Sequence, residues 1–180
     1  MIQSDKEIKI FLASSEELKL ERTHIGDLIN DVNSILLSTE TNIRVRLLKW
    51  ENFNPSFTGE RKQSEYDNQV KNSDVFVVLF RSKAGKFTLE EVETAIKAHT
   101  DNKKPEELYC FFQDCEKRDF DIKEINEKMG SIFFFDNFSD INELKLKIIK
   151  ILIPRLNALG VTVSETDKFI QICSVNILRK

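Results

Sequence analysis

Six consecutive apolar residues, Val75-Phe76-Val77-Val78-Leu79-Phe80, form the longest such run in the chain. Polar residues bound it on both sides, Ser73-Asp74 before and Arg81-Ser82 after. A membrane-spanning helix needs about 20 apolar residues, so this run is far too short to cross a bilayer. Its β-branched and aromatic side chains suit a strand covered on both faces, at the centre of a parallel sheet. Such a strand needs helices above and below it.

The rest of the sequence supplies them by alternation. Ile8 to Ala13 reads as a first strand. From Ser15 to about Leu37, the residues Leu18, Ile25, Leu28, Ile29, Val32, Ile35 and Leu36 recur at helical spacing, and Ser14 with Glu17 matches a capping box. Ile43 to Trp50 is rich in β-formers, and a polar loop, Glu51 to Arg61, and a short charged helix, Lys62 to Asn72, follow. After the central strand, a helix is expected over Thr88 to His99, opened by a second capping pair, Thr88 and Glu91. A strand over Leu108 to Gln113, a helix over Asp121 to Met129, a strand over Ile132 to Phe135 and a helix over Ser139 to Asn157 complete the pattern. Pro154 is expected to distort or end that last helix. Phe133, Phe134 and Phe135 read as core. A β-α unit repeated in this way implies an α/β, flavodoxin-like fold, a five-stranded parallel sheet with helices on both faces. The domain is expected to span residues 1–157. Residues 158–180 break the pattern and read as a C-terminal extension, or as the start of a linker to a missing domain.

Composition removes several function classes. The chain has 27 Lys+Arg against 30 Asp+Glu, a net charge of −3, so no basic excess points to nucleic acid. The start lacks the apolar segment of a signal peptide, and the sparse cysteines, Cys110, Cys115 and Cys173, fit a reducing, cytoplasmic setting. The glycines at 26, 59, 85, 130 and 160 never cluster, which excludes a phosphate-binding P-loop and a dinucleotide-binding GxGxxG. The two histidines, His24 and His99, both fall within helices rather than at a strand's carboxyl end, where a Ser-His-Asp triad would need one. No metal-ligand spacing is present. The acidic residues of a phosphoryl-accepting receiver domain are absent too, because the first strand ends Ala13-Ser14-Ser15 and the third ends Phe80-Arg81.

In a doubly wound sheet the ligand lies beyond the carboxyl ends of the strands. The residues expected on that rim are Ser14, Ser15, Trp50, Glu51 and Arg81, with Glu91 one turn into the helix after the central strand. A lone carboxylate facing a sugar ring stabilises the positive charge that develops at the anomeric carbon when a glycosidic bond breaks. That chemistry suits a bond with a good leaving group, such as the nicotinamide–ribose bond of NAD.

A family resemblance points the same way. Phe11-Leu12-Ala13-Ser14-Ser15-Glu16-Glu17-Leu18, followed by Glu21-Arg22, resembles the opening of bacterial TIR-like domains, including those fused to NTPase sensors in antiphage defence. Trp50-Glu51-Asn52-Phe53, Gly59 and Lys62 to Tyr66 are similar to the family's BB loop and second helix, and Ser73 to Phe80 to its central strand. Phe87-Thr88-Leu89-Glu90-Glu91 falls where better-known members carry Trp-Cys-x-x-Glu, with Phe87 for the Trp, Thr88 for the Cys, and Glu91 matching the Glu. The resemblance implies an NAD glycohydrolase with Glu91 as its catalytic residue and Ser14, Ser15, Trp50, Arg81 and Phe87 lining the pocket. NAD would be substrate, with no further cofactor. It also implies self-association through TIR–TIR contacts, a fused sensor domain beyond Lys180, and a part in bacterial antiviral defence. The alternative it leaves open is a non-catalytic adaptor that assembles with partner TIR domains.

Overall fold

A computed structural model of the protein describes residues 6–38, 42–49, 67–165 and 170–173. The strands are β1 (Lys6–Ser14), β2 (Ile43–Leu48), β3 (Val75–Phe80), β4 (Glu107–Gln113) and β5 (Phe133–Phe138). They form one parallel sheet in the order β2-β1-β3-β4-β5. The helices are α1 (Lys19–Ser38), which follows a 3-10 turn at Glu16–Leu18, then α2 (Lys86–Asn102), α3 (Ile122–Met129) and α4 (Ile141–Ala158). This is the doubly wound, flavodoxin-like arrangement that the alternation implies.

All six residues of β3 are buried. Their alternation divides the core into two layers. Val75, Val77 and Leu79 join Ile8, Ile10 and Leu12 of β1 under α1 and α4. Phe76, Val78 and Phe80 join Phe11 and Ala13 on the opposite face, where Val92 and Ala95 of α2 and Ile125 and Met129 of α3 cover them. The second layer is largely aromatic: Phe11 stacks on Phe76 at 5.7 Å between ring centroids, and Phe80 on Phe112 at 5.9 Å. Each such side chain contributes about 1.5–3 kcal/mol through its burial, so β3 anchors the sheet from both sides.

Several expected boundaries move, each for a local reason. The capping pair Thr88 and Glu91 does not open α2. That helix begins at Lys86, with Gly85 as its N-cap in extended backbone, and Thr88 lies inside the first turn, 3% exposed. Ser14 does not cap the first helical turn either: Ser15 holds that place, without a side-chain cap bond. Asp121 does cap α3, accepting the Lys123 N–H at 2.7 Å. Asp140 caps α4 through the amides of Asn142 and Glu143. Pro154 does not end α4, which continues to Ala158. Phe134 is not core. It stands 57% exposed, because β5 is an edge strand whose faces are not both covered.

Past α4, Val161 is 1% exposed within the α1/α4 core layer. Thr162–Glu165 (β6) and Ile170–Cys173 (β7) then pair antiparallel as a separate two-stranded sheet. No helix among the described residues is long and apolar enough to cross a membrane.

Candidate active site

The strand order reverses between β1 and β3: the chain leaves β1 toward β2 on one side and continues from β3 toward β4 and β5 on the other. A crevice opens beyond the carboxyl ends of strands at such a switch point. The register sets Ser14, the last residue of β1, beside Leu79. The Ser14-Ser15 turn and the Arg81 to Gly85 loop therefore face each other. A Cβ on Gly85 would lie 3.8 Å from the Ser15 Cβ, which measures how closely the two loops approach.

One side chain stitches these loops together. The Glu17 carboxylate reaches from the 3-10 turn after β1 to the loop after β3. Its Oε1 accepts the Ser82 N–H at 3.0 Å and the Lys83 N–H at 2.9 Å. Its Oε2 accepts the Ser82 hydroxyl at 2.5 Å, and the Ser15 hydroxyl donates to Oε1 at 3.2 Å. Burial pulls the Glu17 pKa upward. The bonds from the Ser82 hydroxyl, the Lys83 and Ser82 amides and Ser15 outweigh it and hold the carboxyl below its ordinary value.

A second tie lies on the α1 side of the sheet. Arg22 is fully buried, and its Nη1 donates to the Ser14 hydroxyl at 2.5 Å and to the Ser15 carbonyl at 2.8 Å. Its Nη2 stands 3.6 Å from a carboxylate oxygen of Glu16. The Ser14 hydroxyl in turn donates to the Ser15 carbonyl at 3.3 Å. The loop after β4 joins the same rim: the Asp119 N–H donates to the Ser82 carbonyl at 2.8 Å, and the Cys115 thiol approaches the Arg81 carbonyl at 3.4 Å.

The expected site residues divide accordingly. Ser14, Ser15 and Arg81 do come to the rim. Ser14 is 8% exposed, however, and its hydroxyl is engaged by Arg22, so it shapes the turn from beneath. Arg81 is exposed. Phe87 is 74% exposed in the first turn of α2. Glu91 is half-buried in the second turn, three residues beyond the buried Thr88 and next to the buried Val92. Trp50 lies outside the described residues, as do the Glu51 to Arg61 loop and the start of the helix expected from Lys62; residues 67–71 are helical.

Neither Glu17 nor Arg22 is among the site residues the sequence points to. For Arg22 the sequence does carry a signal: it interrupts the stripe Leu18, Ile25, Ile29, Val32, Leu36, every member of which is buried. A charge on the apolar face of a helix needs a polar partner inside. For Glu17 there is only a misleading one, its match to a capping box, because its true partners are about 65 positions away in the chain.

No protein-family model matches the sequence, and no curated protein matches it. Among solved structures, the fold is similar to that of the CMP N-glycosidase BcmB of Clostridium botulinum, with a TM-score of 0.53 at 14% identity over 80% of this chain and 99% of that one. The flavodiiron core of Flv1 from Synechocystis overlaps more loosely, with a TM-score of 0.42 at 11% identity over 79% of this chain and 33% of that one. At such identities the likeness is one of fold.

Proposed function

We propose that this protein hydrolyses the N-glycosidic bond of a nucleotide, with Glu91 as the catalytic carboxylate and NAD as the substrate. The observation that carries the reading is the position of Glu91, half-buried on the helix that leaves the central strand at the sheet's switch point. Two further facts support it. The similar fold of BcmB belongs to an enzyme that cleaves a nucleotide's N-glycosidic bond, and the resemblance to TIR-like domains assigns the same position to an NAD glycohydrolase.

The chemistry follows from charge. As the C1′–N bond of the nicotinamide riboside breaks, both bonding electrons leave with the ring nitrogen. The pyridinium thereby becomes neutral nicotinamide and needs no proton. The ribose is left with positive charge shared between C1′ and the ring oxygen. An anionic Glu91 beside that ring stabilises the charge as it develops. Water then adds to C1′ and releases its proton, giving ADP-ribose. Ser15 and Arg81 line the rim on which the remainder of the nucleotide rests. The full reading is a cytoplasmic TIR-like effector of antiviral defence that acts when clustered by a fused sensor.

The test is product analysis at high protein concentration or with the protein crowded onto a surface. Offered NAD and CMP separately, the protein is expected to release nicotinamide. Release of cytosine from CMP alone would move the substrate to pyrimidine nucleotides. Release of neither base would leave a TIR-like adaptor as the function.

A further inference from the structure

The Glu17 carboxylate draws its donors from one small concavity. The consecutive amides of Ser82 and Lys83 converge on a single oxygen, at 3.0 and 2.9 Å, and the Ser15 hydroxyl adds a third donor to it at 3.2 Å. Successive backbone N–H groups aimed at one point form a nest, a shape that binds anionic oxygens. Here the nest holds an anion that belongs to the chain itself. A carboxylate oxygen has about two lone-pair sites, so three donors on one oxygen exceed what it can accept with good geometry. A phosphate presents its negative charge over several strong acceptor oxygens and meets such a set better. The exposed side chains of Arg81 and Lys83 flank Ser82 and bring positive charge to the same loop.

We propose that the Ser82 and Lys83 amides, with the Ser82 and Ser15 hydroxyls, are the phosphate-binding site of this crevice, and that Glu17 is an internal competitor which a phosphate group must displace. The identity of the phosphate-bearing ligand rests on the nucleotide reading above; the anion site itself does not. Displacement needs little rearrangement. Leu18, next to Glu17, is fully buried and pins the 3-10 turn, so only the Glu17 side chain has to rotate. When it rotates, the tie between the turn after β1 and the loop after β3 is released. Phosphate binding and the spacing of the two loops are therefore coupled, and the loop released from the β1 turn is the one that leads into α2 and Glu91, still held on its other side by the Asp119 N–H.

The experiment uses inorganic phosphate as probe and needs no turnover. Amide resonances of Ser82 and Lys83 are followed by NMR as phosphate is titrated into the parent and into Glu17→Gln. In the parent these two amides are expected to move at millimolar phosphate. Removing the competing charge should tighten phosphate binding about tenfold, the scale of one charge-assisted hydrogen bond. Adding Ser82→Ala to Glu17→Gln should weaken it again. A folded Glu17→Gln with parental phosphate affinity overturns the proposal. If Glu17→Gln does not fold, the parent alone decides: shifts confined to this loop support the site, and unmoved Ser82 and Lys83 amides overturn it. A protein that binds phosphate here yet releases neither nicotinamide nor cytosine keeps the anion site and loses the hydrolase reading.

Discussion

The Arg22 guanidinium, buried with none of its side chain exposed, donates to the Ser14 hydroxyl at 2.5 Å beneath the carboxyl end of β1. The same Nη1 also serves the Ser15 carbonyl at 2.8 Å. A single cation thus fixes the turn that faces the crevice. Arg22→Met fills the space but leaves these acceptors without their donor. Hydrogen bonds to charged groups are worth about 1.5–3 kcal/mol, and a loss of that size is expected in urea unfolding. Ser14→Ala removes one acceptor only and should cost less. A double-mutant cycle of the two should show coupling, because both changes remove the same bond. Full additivity would mean that the bond contributes nothing to stability.

Glu17 makes the stability of the molecule sensitive to acid in a definite direction. Burial raises its pKa, but the hydrogen bonds from the β3–α2 loop and from Ser15 lower it further, so the folded value lies below the unfolded one. The unfolded chain is then the first to take up the proton as pH falls. The contribution of Glu17 is complete above the unfolded value of about 4.3 and is lost as pH drops through the folded value. Burial pushes Glu106 up, but its bonds from Lys104 and Arg155 outweigh that and lower it, and Lys147 lowers Asp136, so the parent's own acid profile mixes several groups. The difference between the parent and Glu17→Gln isolates one of them. The parent should be more stable at pH 7, and the gap should narrow in acid. A gap that stays constant with pH would mean that the carboxylate's charge is not what holds the loop.

How far the sequence reveals this architecture depends on how local the cause is. The β3 run and the alternation around it were legible because burial on both faces writes itself into consecutive residues. The start of α2 was not, because Thr88 and Glu91 satisfy the capping pattern while Gly85, which has no side chain to advertise the role, is the cap. Phe134 looks as apolar as Phe133, and only the strand order shows that β5 lies at an edge. On the rim, Ser14, Ser15 and Arg81 followed from the ends of the strands. Glu17 and Arg22 act on partners fixed by the turns of the chain rather than by spacing, so their roles became visible only with the fold.

The other edge of the sheet is guarded by a side chain. The Asn33 amide on α1 donates to the Val45 carbonyl at 2.8 Å and accepts the Val45 N–H at 2.8 Å. It thereby takes both backbone groups that the β2 edge would offer to a further strand at that position. Exposed edges invite pairing with other chains. Asn33→Ala should lose about 1–2 kcal/mol of stability, since two ordinary hydrogen bonds disappear. It should also raise self-association, read by light scattering at a temperature where both proteins stay folded. Lower stability with unchanged scattering would reduce Asn33 to a tether between α1 and β2.

The decisive substitution is at Glu91. Because α2 starts at Lys86, Glu91 is its sixth residue and lies beyond the first turn, where helix-dipole effects have faded. Its charge is therefore not needed to start the helix, and Glu91→Gln, which keeps the size and shape of the side chain, is expected to fold as the parent does. Catalysis is a different matter, since a neutral amide cannot offset positive charge at the anomeric carbon. Loss of one such electrostatic group slows the reaction by about 10²–10³-fold. Glu90→Gln is the matched control. Glu90 pairs with the exposed Lys86 at 3.8 Å one turn back, a contact worth about 0.3–0.5 kcal/mol, and its loss should leave turnover unchanged. Nicotinamide release by the three proteins, measured under crowding beside their melting curves, separates the outcomes. If Glu91→Gln keeps parental turnover while the parent is active, the catalytic carboxylate is another residue. An equal loss in Glu90→Gln would point to the helix as a whole rather than to one carboxylate.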